Sequence, residues 1–489
     1  MERPVAELPR GFHDIGGRKL ALREWLVGKL AEVYARYGFE RLSTPIVEYA
    51  DALGKFLPDK DRPHDGVFFF RDGEEDAPWL VLRYDLTAPL ARYVAENINR
   101  LALPYRRFQT GPVFRNEKPG PGRFREFIQF DADTVGTASM AADAEFCMLV
   151  SDSLNAIGLK DGEHVVKVNN RKILNGVLEL IGIPAGESGE EQRGTVLRAM
   201  DKLDRLGPDG VALLLGKGRK DESGDFTPGA GLASAGIDRV LAFLSAGGGT
   251  RGSVCASLSN LVGGSQTGEE GVAELAQMDA VLTAAGFGDS RVAIDPSVVR
   301  GLAYYTGPVF EAQLTFETVD DEGRPVRFGS VGGGGRYDGL VERFLGKKVP
   351  ATGVSIGVSR LADVLEARGL VPEGVDSAPV VVLVLDRAAL GGYQAMVSEL
   401  RNAGIAAELY LGESGMRAQL KYADRRRAPI AIIEGSDERA KGEVTIRDLM
   451  LGAQGAADAK TKEDWTARAQ KAVKRTDMLQ SVREILNRK

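Results

Sequence analysis

The sequence predicts a soluble, multidomain protein of mixed α/β (α+β) class, and three observations support this prediction. First, 489 residues are more than one hydrophobic core organises, so two to four domains are expected. Second, the pattern of residues 114–133, FRNEKPGPGRFREFIQFDAD, predicts two β-strands joined by a basic loop. Third, strand-like and helix-like segments alternate from residue 380 onward, which predicts a small βαβ sheet.

The composition is that of a globular protein without a membrane segment. No run of about 18 apolar residues occurs, and the start, MERPVAELPRGFHDIGG, lacks the apolar stretch of a signal peptide. We therefore expect a cytoplasmic protein with no membrane partner. The net charge is −6, which argues against indiscriminate coating of nucleic acid but allows an RNA partner held by local basic patches.

Cysteine and histidine are too few and too scattered for a zinc site or a disulfide framework. Cys147 and Cys255 have apolar or small neighbours, and the three histidines lie far apart along the chain. We therefore expect no metal bound by protein ligands alone.

The first elements of the chain are a helix and an interrupted strand. Residues 18–37 have apolar side chains at helical spacing, which predicts an amphipathic helix that ends at Gly38. Pro45 then interrupts a strand-like run, and proline is tolerated in a strand only at an edge or a bulge. This strand is therefore either an ordinary edge strand or the border with a second subunit.

A polar junction follows. Residues 67–70 and 79–83 predict a hairpin, and its second strand leads to Asp85 and Thr87 at the start of a helix. Both residue types are good helix caps. A carboxylate and a hydroxyl at this place would equally suit the ammonium group of an amino acid.

The hairpin of residues 114–133 has the polar side chains that a polyanion requires. Arg115 lies at the end of the first strand, where a guanidinium can hold a phosphate bidentately, and the basic loop can follow a nucleic-acid backbone. At strand spacing, Gln129, Asp131 and Asp133 share one face, which suits a small cationic or hydrogen-bonding molecule. The structural alternative is an amphipathic hairpin with a solvated face.

The composition and the predicted secondary structure change twice in the middle of the chain. Residues 184–286 combine short helical segments with many glycines and charged turns, which predicts an inserted helical domain. A strand-like pattern then resumes, and Arg300, Tyr304 and Tyr305 lie within this part of the sequence.

A run of four glycines, residues 332–335, lacks the Lys-Ser/Thr of a P-loop, so a Walker nucleotide site is rejected. Glycines at this density instead favour close approach of the strand backbone to a ligand. Further on, Arg360 lies at the start of a helix, where an anion is favoured.

The C-terminal part follows a linker, PEGVDSAP, and has its own alternation of strands and helices. Arg425 lies in the basic end of its second helix, and it is a candidate RNA contact or a solvated helix end. After residue 458 the chain is charged and predicts a terminal helix.

The order of six motifs resembles that of the histidyl-tRNA synthetases, which are class II aminoacyl-tRNA synthetases. In chain order the motifs are LRYDLTAPLARY, FRNEKPGPGRFREFIQFDADTVG, VRGLAYYTGPVFE, GGGGRYDGL, ATGVSIGVSRL and LKYADRRRAPIAIIEG. The block RGLAYYTG is similar to one that separates the histidine enzymes from other class II enzymes. The resemblance spans nearly the whole chain and is weakest in the inserted region and at the C-terminal end.

This resemblance implies an antiparallel sheet flanked by helices, a helical insertion and a C-terminal α/β anticodon-binding domain. The implied divisions are a first part of the catalytic core at 1–170, the insertion at 171–287, a second part of the core at 288–370, the linker at 371–379 and the anticodon-binding domain at 380–489. It also implies a homodimer whose interface includes the Pro45 strand.

The implied activity is that of a ligase. It activates L-histidine with ATP, releases pyrophosphate and transfers histidine to the 3′ end of tRNA(His). The implied catalytic residues are Arg300 and Arg115, which would stabilise negative charge that builds on the α-phosphate in the transition state. Mg²⁺ would travel with the phosphates of ATP.

The implied binding residues form three groups. Those for histidine are Asp85, Leu86, Thr87, Gln129, Asp133, Tyr304 and Tyr305; those for ATP are Arg115, Glu117, Phe124, Arg300 and Arg360; those for tRNA are Lys118, Arg123 and Arg425. Within the first group, Asp85, Thr87 and Gln129 would take the ammonium group. Asp133 and one of the two tyrosines would bind the imidazole nitrogens.

One position departs from the family, and two other functions compete with the ligase. Ala303 stands where the family usually has an acid. The competing functions are a non-catalytic synthetase-like regulatory subunit of histidine biosynthesis and an RNA-binding protein with a degenerate synthetase core. Relatives of the regulatory kind lack the C-terminal domain and lose catalytic arginines, whereas this sequence retains both.

Overall fold

The computed structural model describes residues 3, 5–53, 66–73, 76–120, 124–220, 224–299, 305–319, 325–326, 329–372, 374–375, 378–454 and 469–487. The chain divides into two compact units, Met1–Pro372 and Glu373–Lys489. Within the described residues, no helix is both long enough and apolar enough to cross a membrane.

The first unit mixes strands and helices. Its strands are β1 (Glu40–Arg41), β2 (Val47–Tyr49), β3 (Phe69–Phe70), β4 (Leu80–Leu82), β5 (Tyr105–Phe114), β6 (Glu126–Val135), β7 (His164–Asn170), β8 (Gly218–Lys220), β9 (Phe226–Pro228), β10 (Val292–Ile294), β11 (Pro308–Leu314), β12 (Thr318–Val319), β13 (Pro325–Val326), β14 (Ser330–Arg336) and β15 (Ala351–Gly357). Its helices are α1 (Gly17–Arg36), α2 (Ala50–Leu53), α3 (Thr87–Asn97), α4 (Met140–Ala156), α5 (Arg171–Leu180), α6 (Glu187–Met200), α7 (Leu203–Leu215), α8 (Ser234–Leu244), α9 (Arg251–Val262), α10 (Gln266–Ala284), α11 (Glu342–Leu345) and α12 (Val358–Ala367).

An eight-stranded sheet forms the centre of this unit, in the order β1-β5-β6-β15-β14-β11-β7-β10. Each neighbouring pair from β5 to β7 in this order is antiparallel. The two outer strands, β1 and β10, each add a parallel pair. The predicted antiparallel sheet is thus confirmed.

Helix α1 packs on one face of the sheet and leaves the other face to the polar side chains. Of the apolar positions expected from its helical spacing, Leu22, Leu26, Leu30 and Val33 are buried, and Tyr37, which follows the last residue of the helix, is partly buried. Tyr34 of this helix lies with its ring centroid 5.9 Å from that of Phe108 and 4.8 Å from that of Phe130. Because successive side chains of a strand point to opposite faces, Asp131 and its alternate neighbours point away from α1.

The predicted helical insertion is a run of helices, α6 to α10, with a short hairpin of β8 and β9 between α7 and α8. Helix α10 packs against both α4 and α5, so the end of this segment lies against the core of the unit. The boundaries 171–287 remain a prediction.

A small three-stranded sheet carries the strand that follows Pro45. The order is β2-β4-β3, and among the described residues β2 pairs with β4 alone. The strand after Pro45 is therefore an edge strand. Its side chains Val47 and Tyr49 are 38% and 58% exposed, which is unusual for apolar residues in a sheet.

The second unit contains the predicted alternation. Its elements are β16 (Val380–Val382), α13 (Leu390–Asn402), β17 (Ala407–Leu409), α14 (Met416–Arg425), β18 (Ile430–Ile433), α15 (Ser436–Lys441), β19 (Glu443–Asp448), α16 (Leu449–Gln454), β20 (Gln470–Lys474) and a C-terminal helix, Met478–Leu486. The sheet order is β17-β16-β18-β19-β20, with parallel pairs on both sides of β16 and antiparallel pairs beyond β18.

The prediction of one charged terminal helix was wrong in part. The structure places strand β20 first, at the edge of the sheet, and the helix Met478–Leu486 after it. An edge strand contacts a partner on one side only, so its sequence QKAVK can be charged and lacks the apolar alternation that predicts a strand.

Candidate functional site

A row of side chains along β6 forms the floor of the candidate site. Phe127, Gln129, Asp131 and Asp133 occupy alternate positions of this strand. At about 3.3 Å per residue, the row is roughly 20 Å long. The prediction that Gln129, Asp131 and Asp133 share one face of a sheet is confirmed, and the face is the one that α1 does not cover.

At one end of the row, Asp133 is held by two buried partners. Arg107, its register partner on β5, places Nη2 2.6 Å from Asp133 Oδ2, and Tyr337 donates a hydrogen bond to Oδ1. Burial raises the pKa of Asp133, whereas Arg107 and Tyr337 act in the opposite direction. Asp133 is 2% exposed, so it is a carboxyl group in the protein interior, and Arg107 is the cation beside it among the residues that the structure describes.

The contact between Arg107 and Asp133 is an ion pair without an aligned hydrogen bond. Nη2 of Arg107 donates at 3.0 Å to the carbonyl oxygen of Leu86, and Asp133 Oδ2 is buried with no hydrogen-bond donor among the described residues. A buried carboxylate oxygen that lacks a hydrogen-bond donor favours binding of a ligand that donates an N–H group to it. An imidazole has such groups.

Three carboxyl groups and a phenol share this end of the site. The charges of Asp131, Asp133 and Asp85 all act on Tyr305, and together with burial, the largest cause, they raise the pKa of its hydroxyl. Burial likewise raises the pKa of Asp131 to about 7, with Arg107 opposing and Asp133 adding to the shift. Such shifts are typical of groups in a functional site.

The predicted cap at the start of α3 is present. Asp85 Oδ1 accepts hydrogen bonds from the backbone N–H groups of Thr87 at 3.1 Å and Ala88 at 2.9 Å. Leu86 between them is fully buried and turns its carbonyl oxygen to Arg107. Capping therefore accounts for the position of the Asp85 carboxyl group. The charge of this carboxyl group also acts on Asp131, so Asp85 lies near the site.

Two glycines, Gly335 of the glycine run and Gly353 on the neighbouring strand β15, make room for side chains of the site. A Cβ atom on Gly335 would lie 2.8 Å from Cδ1 of Tyr305, and one on Gly353 would lie 2.0 Å from Oδ1 of Asp133. Residues 332–335 lie within β14, between β11 and β15. The sequence suggested that glycine brings the backbone close to a ligand; in the structure, the space above two glycines is taken by the pocket's own side chains.

At the other end of the row, Arg115 is stacked between aromatic rings. Its guanidinium carbon lies 4.4 Å from the ring centroid of Tyr84 and 5.1 Å from that of Phe127. The Tyr84 hydroxyl donates to Glu117 Oε1 at 3.3 Å. Arg115 Nε is buried without a hydrogen-bond partner among the described residues, so the guanidinium retains donor capacity for an anion.

The remaining predicted residues lie around this end or elsewhere. The ring of Phe124 packs edge-on against His13 at 4.4 Å, and the exposed Lys118 lies in the loop after β5. Arg360 is exposed in the first turn of α12 and donates from Nη1 to the carbonyl oxygen of Ser330 at 2.7 Å. Arg425 is exposed in the last turn of α14, in the second unit.

Arg300, Tyr304 and Arg123 lie outside the described residues, as does Ala303. Their roles therefore remain predictions from the sequence.

Arg107, Tyr337 and Ser355 belong to the site but were not identified from the sequence. Arg107 could have been found from strand spacing, because its position on β5 places its side chain on the same sheet face as the row of side chains along β6. Ser355 is the register partner of Asp131 on β15, and Gln129 Nε2 donates to its hydroxyl at 3.0 Å. No local pattern distinguishes Tyr337 or Ser355, since each contacts residues far away in the sequence.

The same sheet face continues past the glycine strand into a polar cavity of about 580 Å³. Glu311 on β11 and Lys167 on β7 are register partners there, and they line the cavity. Asp201 closes it from the helical segment. The candidate site is thus one end of a longer polar surface.

Within the described residues, no group of three or more His, Cys, Asp or Glu side chains is placed to hold a metal ion.

Two family models match the sequence. The model described as histidyl-tRNA synthetase matches residues 11–361, and the one described as anticodon binding domain matches residues 379–483. A protein named histidine–tRNA ligase from Methylocella silvestris is 58% identical to the chain, with 100% of this chain and 98% of the relative covered. The protein of the same name from Brucella ovis is 57% identical, with 99% and 97% covered.

Solved structures with the same fold are also found. The crystal structure of histidyl-tRNA synthetase from Nostoc sp. PCC 7120 matches with a TM-score of 0.74 and 27% identity, over 99% of this chain and 100% of that chain. A structure described as an ATP phosphoribosyltransferase regulatory subunit/histidyl-tRNA synthetase from Bacillus halodurans matches with a TM-score of 0.65 and 23% identity, over 86% and 97%. At the latter identity the likeness concerns the fold alone.

Proposed function

The chain belongs to the histidyl-tRNA synthetase family, and from this premise we infer that it is a histidine–tRNA ligase. It activates L-histidine with ATP and transfers the histidyl group to the 3′ end of tRNA(His). The relatives that carry this name align with the chain over nearly its whole length.

One observation supports this function more than any other. A single face of β6 connects a stacked guanidinium at Phe127 with a buried acidic pocket at Asp133. A cation for phosphate at one end and acceptors for N–H groups at the other end suit a reaction between a nucleotide and a basic amino acid.

In the first step, a carboxylate oxygen of histidine attacks the α-phosphorus of ATP. The bond from this phosphorus to the bridging oxygen of pyrophosphate breaks, and histidyl-adenylate and pyrophosphate result. We propose that Arg115 and Arg300 stabilise the charge that develops on the α-phosphate, and that Arg360 holds the γ-phosphate. ATP enters as its magnesium complex, and Glu117 and Phe124 contact the adenine.

The acidic end selects the amino acid. Asp133, with Tyr304 or Tyr305, would bind the two imidazole nitrogens, and Asp85, Thr87 and Gln129 the ammonium group. Asp133 Oδ2 has no hydrogen-bond donor among the described residues, and an amino acid without ring nitrogens would not supply one, which can give selectivity of about 10⁴-fold. This pocket therefore requires no editing site.

In the second step, a hydroxyl of the terminal ribose of the tRNA attacks the carbonyl carbon of the adenylate, and AMP leaves. Lys118 lies in the loop after β5, and we assign it, together with Arg123 from the sequence, to the acceptor end of the tRNA. We assign Arg425 to the anticodon region, because it lies in the part that matches an anticodon binding domain. We place the reaction in the cytoplasm, where proteins are synthesised.

We also propose that the protein is a homodimer through the edge strand β2. A groove of about 710 Å³ runs along this strand, lined by Pro45, Val47, Tyr49 and, from α11, Phe344 and Leu345. An exposed apolar edge strand invites pairing with another chain unless it is covered. A second copy of the strand would cover it.

The decisive experiment is histidine-dependent exchange of labelled pyrophosphate into ATP. The expected result is exchange that requires L-histidine and that other amino acids do not support. Absence of exchange at saturating histidine, from folded protein with magnesium and ATP, would overturn the proposal.

The same assay separates the ligase from the regulatory subunit, which would show no exchange. The C-terminal match to an anticodon binding domain speaks against the regulatory function, because relatives of that kind lack this domain.

A further inference from the structure

Ser355 links two polar side chains of the row on β6. It stands directly opposite Asp131 in the pairing of β15 with β6. Gln129 Nε2 donates to its hydroxyl oxygen at 3.0 Å, and the hydroxyl in turn donates to the carboxyl group of Asp131. The amide and the carboxyl group are therefore fixed relative to each other by one shared hydrogen-bond partner.

This arrangement leaves two acceptor oxygens without donors. Oε1 of Gln129 and Oδ1 of Asp131 are both buried, and neither has a hydrogen-bond partner among the described residues. Asp131 is 3% exposed. Buried acceptors are costly when they are left unpaired, so native proteins nearly always pair them. Two such oxygens in one pocket indicate a ligand group that donates more than one hydrogen bond.

We propose that Asp131 binds the α-ammonium group of the amino acid substrate together with Gln129, and that Ser355 is the positioning residue that holds both. This inference rests on the proposed function and adds Asp131 and Ser355 to it. An ammonium group has three N–H donors, so it can satisfy both oxygens and still reach the start of α3 at Asp85 and Thr87.

The charge balance around Asp131 is suited to a cation. Among the described residues, the titratable and charged groups that act on it come from six places in the fold: Arg107 on β5, Asp133 on β6, Asp85 before α3, Arg83 after β4, and the phenols of Tyr34 on α1 and Tyr305 before β11. Arg83 is itself tied to backbone oxygens, at 2.8 Å to Pro112 and 2.9 Å to Thr44. Arg107 is shared with Asp133, so in the part of the site that the structure describes the carboxyl groups outnumber the cations.

A bound ammonium group would shift the ionisation of this carboxyl. Burial raises the pKa of Asp131 to about 7, so near neutrality the empty site holds a proton for part of the time. An adjacent cation favours the ionised form. Histidine should therefore bind with release of a proton, and its affinity should fall as the pH falls below 7.

The test uses Asp131→Asn and two ligands measured by calorimetry, L-histidine and 3-(imidazol-4-yl)propionate, which lacks the ammonium group. The variant should bind histidine about 10-fold more weakly, because a hydrogen bond to a charged group becomes one to a neutral amide. It should bind the ammonium-free analogue within about 2-fold of the original protein, since that ligand never contacts Asp131.

The pH profile gives a second, independent measurement. Between pH 8 and pH 6 the histidine affinity of the unchanged protein should fall more steeply than that of Asp131→Asn. Titration of the imidazole of free histidine affects both proteins equally and cancels in the comparison. Asp152→Asn is the matched control, because Asp152 pairs with Arg291 and Tyr37 outside the site; it should behave as the unchanged protein.

Equal weakening of both ligands would show that Asp131 only maintains the shape of the pocket, and unchanged histidine binding would show that it does not contact the substrate. Either result overturns the inference. If Asp131→Asn fails to fold, Ser355→Ala replaces it with the same pair of ligands and the same criteria. Exchange activity of the unchanged protein is scored separately, so failure of this inference is distinct from failure of the proposed function.

Discussion

Arg107 Nη2 lies 2.6 Å from Asp133 Oδ2, and both side chains are buried, at 0% and 2% exposure. A buried ion pair of this kind is fixed in place by its surroundings and cannot rotate into solvent. It gives the end of the pocket that we assign to the imidazole a rigid acidic wall. The stability of the fold therefore depends in part on Asp133, which we also assign to substrate binding.

Replacing the acid should affect histidine more than ATP. We expect Asp133→Ala to raise the KM for histidine by a factor of about 100 or more, because the ligand N–H group loses a charged acceptor and Arg107 is left unpaired. The KM for ATP should change by less than about 3-fold, since Arg115 is at the other end of the row. Pyrophosphate exchange measured against each substrate checks this, and equal effects on both would show that the pocket is misassigned.

Removing the cation should destabilise the protein. We expect Arg107→Met to lower the free energy of unfolding by about 3 kcal/mol, because Asp133 then remains as an unpaired buried acid. The double variant Arg107→Met/Asp133→Leu should regain most of this loss, since no charge is left in the interior. Urea unfolding followed by circular dichroism is the measurement.

An exposed pair serves as the control for that experiment. Lys29 and Glu32 lie 2.9 Å apart on α1 with side chains 37% and 65% exposed, so Lys29→Met should cost less than about 1 kcal/mol. A loss in Arg107→Met as small as that in Lys29→Met would show that the buried pair does not stabilise the fold.

The stacked arginine should matter for rate and little for stability. We expect Arg115→Lys to lower the rate of adenylate formation by about 10²-fold, because lysine lacks the planar donors of the guanidinium. Single-turnover formation of histidyl-adenylate measures this rate. The matched control is Arg368→Lys, whose guanidinium lies at the same 4.4 Å from an aromatic ring, that of Phe316, outside the site. Similar rates for Arg115→Lys and the unchanged protein would remove Arg115 from the mechanism.

The raised pKa of Asp131 should appear in the pH dependence of stability. Burial raises this pKa from 3.8 to about 7, so between these values the folded protein keeps a proton that the unfolded chain has lost. Stability must then fall as the pH rises through this window. Asp131→Asn has no such proton, and its stability relative to the unchanged protein should increase from pH 4 to pH 8.

Urea unfolding at both pH values measures this difference, with Asp152→Asn as the control. A difference between variant and unchanged protein that is the same at pH 4 and pH 8 would contradict the raised pKa.

The edge strand predicts a variant that separates the subunits. Tyr49 is 58% exposed on β2 beside the groove, and Tyr49→Glu would place two like charges near each other in a dimer that pairs these strands. We expect a monomer by sedimentation at micromolar concentration. Leu213→Glu changes an apolar residue of similar exposure, 54%, in the helical segment and should remain dimeric. An unchanged mass for Tyr49→Glu would place the interface elsewhere.

Much of the architecture follows from local pattern. The spacing of Leu22, Leu26 and Leu30 predicted α1, and the alternation from Phe127 to Asp133 predicted which side chains of β6 share a face. Both patterns are short-range, since a helix repeats every 3.6 residues and a strand every two. The sequence also placed Gln129 and Asp133 in the amino acid site through the family resemblance, and this assignment remains a prediction.

The partners of those residues were decided by the tertiary structure. Arg107 was not identified as the counter-ion of Asp133. Strand spacing placed Asp131 on a face that suits a cationic molecule, but the family resemblance gave Asp131 no role. The glycines of β14 were interpreted as places where the backbone approaches a ligand, which stays a prediction; the structure shows in addition that Gly335 gives space to Tyr305. Strand β20 was missed because an edge strand can be charged.

By itself, the sequence determined the helices and strands with a clear periodicity, their order and the family. Periodicity and motifs are patterns of residues that lie close together in the sequence. Only the tertiary structure decided which oxygens are buried, which charges are paired and which acceptors are left for a ligand. The physical reason is that ion pairing and desolvation depend on burial, and burial arises when strands distant in the sequence, such as β6 and β15, pack side by side.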